Sequence, residues 1–302
     1  MTENRSTLGW KAGQLVLSSR PLSWINTAFP FAAAYLVTTG RVDALLVVGT
    51  LFFLIPYNLL MYGINDVFDY ESDLRNPRKG GAEGALLDPG LHRAVLVTGV
   101  VLAVPFLVVM LVLAGTEEPL SWLVLAVSLF AVAAYSVPGL RFKERPFLDS
   151  ATSSTHFVSP AVYGLTVAGA IPTPGLIATL AAFFLWGMAS HAFGAVQDVT
   201  PDREAGIASI ATALGAARTV RLAIGLWAAA GILMLFTEWP GPLAAFLAVP
   251  YIATAFPWRS VADDRSEAAN AGWKRFLWIN YASGFVVTLI LIGWVSGSAA
   301  AA

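Results

Sequence analysis

The chain has 302 residues, of which 57% are hydrophobic and only 12% charged, and it carries a net charge of −1 at pH 7. A soluble domain of this size carries about twice that charged fraction, so a water-soluble fold is excluded and near-neutrality argues against a nucleic-acid partner. The absence of cysteine rules out disulfides, thiolate metal sites, iron–sulfur clusters and thiol nucleophiles.

Residues 1–20 form a polar N-terminal segment, without the apolar core after a basic start that a secretion signal requires. A single membrane domain follows over residues 21–296, then a short alanine-rich tail over 297–302. A bilayer-crossing helix needs about 20 apolar residues. Nine such runs are predicted, over residues 22–39, 44–64, 94–114, 120–137, 147–170, 175–196, 220–236, 243–258 and 276–294. The fifth is polar in its first half, with Asp149, Thr152, Ser153, Ser154, Thr155 and His156, and the eighth is short and carries Pro250 and Pro257.

Charge placement tests this count, because cytoplasmic loops collect Lys and Arg. With nine spans and a cytoplasmic N-terminus, every one of the 18 basic residues except Arg41 lies on the inner side. Without the fifth span, the residues from Arg203 to Arg275 would move outside. The polar fifth helix is therefore expected to be real and to face protein or a wet cavity rather than lipid. The expected fold is an all-α bundle of nine transmembrane helices in the lipid bilayer of the cell membrane, with its C-terminus outside.

Two acidic motifs end spans two and six on the cytoplasmic side. The first reads Asn65-Asp66-Val67-Phe68-Asp69-Tyr70-Glu71-Ser72-Asp73. On a helix, Asp66, Asp69 and Asp73 fall at i, i+3 and i+7, so three carboxylates share one face. Like charges at that spacing repel, and a divalent cation reverses the sign of the interaction. Carboxylates, retained waters and substrate phosphates form the usual magnesium environment.

The second motif reads Gln197-Asp198-Val199-Thr200-Pro201-Asp202-Arg203-Glu204. Pro201 disfavours helix at Thr200. A new helix is expected to begin at Pro201 with Thr200 as its cap, so that Asp198 and Asp202 straddle a break. Either motif alone could be a solvated loop. Two at span ends, placed on one side by the basic residues alone, point to a shared site.

The Asn-Asp-x-x-Asp-x-x-x-Asp run and the later Asp-x-x-x-Asp resemble the signature of the UbiA superfamily of intramembrane prenyltransferases. Arg20-Pro21, Tyr135-Ser136-x-Pro138 and Arg141-x-Lys143 extend the resemblance. It implies a helical bundle around a central cavity that opens toward the cytoplasmic acidic loops. Within the superfamily four stretches look most like the lycopene elongases. They are Ser19-Arg20-Pro21-Leu22-Ser23-Trp24, Met61-Tyr62-Gly63-Ile64-Asn65-Asp66, Arg75-Asn76-Pro77-Arg78-Lys79-Gly80-Gly81 and His191-Ala192-Phe193-Gly194-Ala195-Val196-Gln197-Asp198. That resemblance implies transfer of a dimethylallyl group from its diphosphate to the ends of lycopene. One departure is Gln197, where many relatives with aromatic acceptors carry lysine.

The resemblance implies that magnesium sits on Asp66, Asp69, Asp73, Asp198 and Asp202, with Asn65 orienting a ligand. It would stabilise charge on the departing diphosphate. Arg141, Lys143, Lys79, Arg78 and Arg203 are candidate phosphate contacts, the alternative for each being an anchor at lipid headgroups. An allylic cation must be kept from water among aromatic faces. Tyr62 and Phe68 are candidates for this, with Tyr57, Phe193 and Trp186 near the same span ends. After the acceptor attacks, the new cation loses a proton or captures water, and no base stands out. His156, His191, Asn26, Asn58 and Asn280 are the remaining costly polar residues in spans. Two other readings stay open: the same transfer onto a quinone precursor, tetrapyrrole or glycerophosphate lipid, or a cation transporter. A transporter would place acids near the midplane, whereas these sit at span ends.

Overall fold

The computed structural model describes residues 7–74 and 86–301, and among them every regular element is helical. The chain divides into two compact units, Met1–Phe142 with Ser159–Ala170, and Lys143–Val158 with Ile171–Ala302.

The first unit opens with a helix inside the segment read from sequence as merely polar. Helix α1, Leu8–Ser18, is capped by Thr7, whose hydroxyl accepts from the Trp10 amide at 3.3 Å. Helix α2, Ile25–Thr39, ends on Gly40, whose left-handed φ of 64° suits a residue without Cβ. The expected second span is two helices, α3 (Ala44–Leu54) and α4 (Pro56–Phe68). Pro56 has no amide hydrogen, so the helical ladder breaks at Ile55 and restarts with proline in its first position. Asn58 repairs the break, donating to the carbonyls of Phe53 at 2.8 Å and Leu54 at 3.1 Å and to the Thr27 hydroxyl at 2.7 Å. A polar residue that looked costly in the sequence thus satisfies carbonyls left open where the helix breaks and restarts.

A single-turn helix, α5 (Tyr70–Asp73), continues from α4. The unit is completed by α6 (His92–Ala114), α7 (Pro119–Ser136) and the second half of α8 (Leu148–Val167). Its core is aromatic: Phe31 lies 5.3 Å from Phe53 and 5.8 Å from Tyr163, ring centre to ring centre, and Phe53 lies 5.2 Å from Tyr57. Glycine makes room for it. A Cβ at Gly164 would stand 2.8 Å from the Phe31 carbonyl oxygen, closer than carbon can approach.

The second unit begins with the polar half of α8 and continues through α9 (Pro174–Val196), α10 (Val199–Glu204), α11 (Ile210–Leu214) and α12 (Ala216–Met234). It ends with α13 (Ala248–Ala255) and α14 (Asn270–Ala301). Helices α9 and α12 pack together, with Ala189, Ala192, Ala216 and Ala223 fully buried in one core. Small residues of this kind let helices approach closely where lipid gives no hydrophobic drive. Trp227 stacks on Tyr251 at 5.5 Å and on Phe276 at 6.1 Å. The expected eighth span departs from a continuous α-helix. Residues Gly241–Leu247 and Phe256–Trp258 are 3-10 turns flanking α13, and Pro242, Pro250 and Pro257 each withhold an amide from the ladder.

Among the described residues, seven helical stretches have the length and composition to cross a membrane. They are Ala44–Phe68, Pro89–Ala114, Pro119–Ser136, Pro174–Val196, Ala216–Met234, Gly241–Trp258 and Asp263–Gly297. The other two expected spans coincide with α2, at 15 residues, and with the polar α8, at 20. Most polar side chains in the first half of α8 are held inside: Asp149, Ser150, Thr152, Ser154 and His156 are buried, whereas Ser153 and Thr155 are half-buried.

Candidate active site

The first acidic motif lies at the C-terminal end of α4. Asn65 and Asp66 are in its last turn, Asp69 is its cap, and Asp73 closes α5. The amide of Asp69 donates to the Asn65 carbonyl at 2.9 Å and that of Asp73 to the Asp69 carbonyl at 2.8 Å, so helical geometry carries across the cap. The expected i, i+3, i+7 alignment therefore holds. All three carboxylates are buried, at 1%, 5% and 7% exposure, which is exceptional for neighbouring acids.

Buried charge requires partners. Arg20 donates to Asp66 Oδ1 at 2.5 Å and Ser18 donates to Oδ2 at 3.1 Å, so both carboxylate oxygens are fixed from the end of α1 and the turn that follows it. The Arg20 guanidinium also lies 5.1 Å from the centre of the Tyr62 ring, a cation–π arrangement. Its Nε is buried without a hydrogen-bond partner among the described residues. Arg141 reaches Asp69 Oδ1 at 3.9 Å, a charge contact rather than a hydrogen bond. The Ser136 hydroxyl donates to Asn65 Oδ1 at 3.0 Å, fixing which way the amide points. Tyr62 and Phe68 are half-buried on the same helix. Tyr57 is instead sealed in the aromatic core, its hydroxyl accepting from Ser128 at 3.1 Å.

The second motif lies in the other unit. The chain leaves α9 at Val196, turns at Gln197 and Asp198, and enters α10 at Val199. The new helix thus starts two residues before the expected start at Pro201, and Asp198 rather than Thr200 is its cap. Proline within a first helical turn removes no helical hydrogen bond, so the helix starts ahead of it. Asp198 and Asp202 do straddle the start of α10, with the Asp202 amide donating to the Asp198 carbonyl at 2.9 Å, and both side chains are half-buried. Gln197, where relatives carry lysine, accepts from Asn270 Nδ2 at 2.5 Å.

The candidate phosphate-binding cations divide three ways. Arg141 lies beside the first motif, and Lys143 is half-buried in the short turn Phe142–Glu144. Arg203 is committed elsewhere, donating to Asp263 Oδ2 at 2.6 Å and to the Thr212 carbonyl at 3.1 Å. Asp263 also accepts from the Ala216 amide at 2.7 Å, so Arg203 braces a loop. Arg78 and Lys79, with the rest of the Arg75–Gly81 stretch, lie outside the described residues. Trp186 and Phe193 belong to the aromatic core of the second unit.

Among the described residues, no three histidine or acidic side chains gather into a ready-made metal cage. Magnesium does not need one, since it binds through one or two carboxylates and completes its shell with water and substrate phosphate. Three buried carboxylates offering only oxygen donors fit that requirement. Sequence reasoning did not assign roles to Arg20, Ser18 and Ser136. The signal for Arg20 and Ser136 was present, in the Arg20-Pro21 and Tyr135-Ser136-x-Pro138 motifs.

Comparison with known proteins follows the same line. The UbiA prenyltransferase family matches residues 27–280. The chain is 58% identical over 279 residues to the C(50) beta-cyclic carotenoids biosynthesis protein LbtBC of Dietzia sp., covering 92% of this chain but 64% of that protein's length. It is 50% identical over 278 residues to the lycopene elongase/hydratase of Corynebacterium glutamicum, covering 92% of this chain and 96% of the relative. Among solved structures, a UbiA homolog from Archaeoglobus fulgidus bound to DMAPP and Mg2+ aligns with a TM-score of 0.63 at 19% identity. That alignment covers 90% of this chain and 99% of the homolog, and the likeness is one of fold.

Proposed function

The chain belongs to the UbiA prenyltransferase family, and on that premise we propose that it transfers a dimethylallyl group from dimethylallyl diphosphate to the ends of lycopene. The buried Asp66–Asp69–Asp73 run at the end of a membrane helix carries the reaction type. The acceptor rests on the carotenoid names of two relatives at 58% and 50% identity. The nine-span topology, with a cytoplasmic N-terminus and the active site opening to the cytoplasm, rests on the distribution of Lys and Arg.

Both acidic motifs act on one diphosphate in this reading. Magnesium bound by Asp66, Asp69, Asp73, Asp198 and Asp202 would neutralise phosphate oxygens and the charge that grows on the bridging oxygen as the carbon–oxygen bond breaks. The chain's own contribution is orientation. Arg20 and Ser18 hold Asp66 by both oxygens, so this carboxylate has no rotamer freedom to lose when substrate arrives. Ser136 holds Asn65 in the same way. Arg141, already near Asp69, supplies positive charge to the departing diphosphate, as does Lys143. Tyr62 and Phe68 present aromatic faces to the allylic cation. The acceptor's terminal double bond then forms the new carbon–carbon bond, leaving a tertiary cation.

The test is product analysis. Membranes containing the chain, supplied with lycopene, dimethylallyl diphosphate and magnesium, should yield carotenoids heavier by five or ten carbons. Unchanged lycopene beside a prenylated quinone would assign the chain a different acceptor.

A further inference from the structure

The second acidic motif rides on an element too short to hold itself. Helix α10 has six residues, and a helix of that length is unstable alone. Gly206, two residues beyond it, has a left-handed φ of 71°, so the chain turns away at once. The direction in which Asp198 and Asp202 point is therefore set by contacts with the rest of the second unit.

One short stretch supplies several of these contacts, the 3-10 turn Asp263–Ala269 that leads into α14. The Thr200 hydroxyl donates to the Asp263 carbonyl at 3.1 Å, and Arg203 Nη1 donates to Asp263 Oδ2 at 2.6 Å. Oδ1 of the same carboxylate accepts from the Ala216 amide at 2.7 Å, so Asp263 pins α10 to the start of α12. The approach is close: a Cβ at Gly215 would stand 3.1 Å from Asp263 Oδ1. Just past the other end of the turn, Asn270 donates to Gln197, the residue before Asp198. Thr200 and Arg203 are three residues apart and share one face of α10. Asp202 lies about 130° round the helix from the middle of that face. Asp263 thus grips α10 on one side and leaves the side that carries Asp202 open.

We propose that Asp263 is a positioning residue for the second acidic motif. Through Thr200 and Arg203 it sets how Asp202, and Asp198 joined to it across the cap, present oxygen to magnesium and diphosphate. The inference rests on the prenyltransferase reading above, and it gives Arg203 a task other than touching phosphate. The ion pair's side chains are 45% and 39% exposed, and a pair so exposed adds little to stability. Its work is direction, which breaking it can disturb without unfolding the chain.

The experiment uses the full chain in lipid nanodiscs and two measurements. One is calorimetric binding of dimethylallyl S-thiolodiphosphate, a donor analogue that does not ionise, at a series of magnesium concentrations. The other is chemical unfolding. Asp263→Asn keeps an acceptor for the Ala216 amide and removes only the charge that Arg203 pairs with. In Asp263→Asn and in Arg203→Ala, analogue affinity at low magnesium should fall at least about tenfold, within the ~100-fold that a 1 Å misplacement can cost. The deficit should shrink as magnesium rises, and unfolding should be unchanged. Because the two residues act as one clasp, the double variant should bind no more weakly than the weaker single one. Unchanged affinity in either single variant overturns the assignment. So do losses that multiply in the double, which would put Arg203 on the phosphate itself. A deficit that ignores magnesium, or one matched by lost stability, would make the clasp a fastener of the fold and overturn it too. If the unaltered chain binds no analogue even at high magnesium, the prenyltransferase reading fails and the clasp's role with it, an outcome distinct from the others.

Discussion

Arg20 shows how much of a site can depend on one residue outside its motif. Its backbone is left-handed, with φ 53° and ψ 70°, a conformation that disfavours any residue with a Cβ. Strain of that kind persists only where surrounding contacts over-determine it. Here those contacts are Asp66, the Tyr62 ring and the fixed Pro21 that follows. Removing one partner of a buried ion pair leaves the other uncompensated, so Arg20→Ala should lower stability by about 3 kcal/mol. Chemical unfolding in detergent measures this, and adding Asp66→Asn to Arg20→Ala should restore most of the loss. Equal stability of Arg20→Ala and the unaltered chain would show that the pair does not hold the motif. The sequence marked Arg20 by its neighbour Pro21 but gave no sign of its partner, because a contact spanning 46 residues leaves no local periodicity.

At the level of elements, patterns were legible where they are local and obscured where proline intervenes. The helical spacing of Asp66, Asp69 and Asp73 survived intact, and most polar side chains in the first half of α8 proved to be buried, with Ser153 and Thr155 half-buried. Three boundaries moved: the second span breaks at Pro56, the eighth splits around Pro250 and Pro257, and α10 starts before Pro201. In each case proline decides where the hydrogen-bond ladder stops, but neighbouring donors decide whether the helix restarts before or after it. Caps work at the same scale. Asp43 caps α3 by accepting from the Leu46 amide at 3.0 Å, and it also accepts from the Tyr35 hydroxyl at 2.7 Å. The Leu46 amide above all holds the Asp43 carboxyl below the usual carboxylate range. A depressed folded-state value means this contribution is present above the unfolded value, about pH 4, and is lost as pH falls through the folded one. Asp43→Asn keeps an amide-accepting cap without the titration. The stability gap between the two chains should therefore be constant near neutrality and narrow below about pH 4. A gap unaffected by acid would remove Asp43 from this role.

For the whole molecule, membrane residence and the two-motif chemistry could be argued from composition and from where the basic residues fall. The acceptor could not, because a pocket for a long hydrocarbon is lined by the same residue types that fill any membrane core. Trp186, Tyr57 and Phe193 illustrate this, since candidates for cation shielding turned out to be core aromatics. The claim on which the rest depends is that both carboxylate motifs serve a single diphosphate. Magnesium-dependent diphosphate release by Asp66→Asn, Asp198→Asn and the double variant tests it most directly. Residues that act as a unit are not additive. Each single variant should lose at least about 100-fold, the scale of removing one electrostatic contact to a transition state, and the double should be no slower than the worse single. Losses that multiply in the double variant, or near-normal release in either single one, would contradict it.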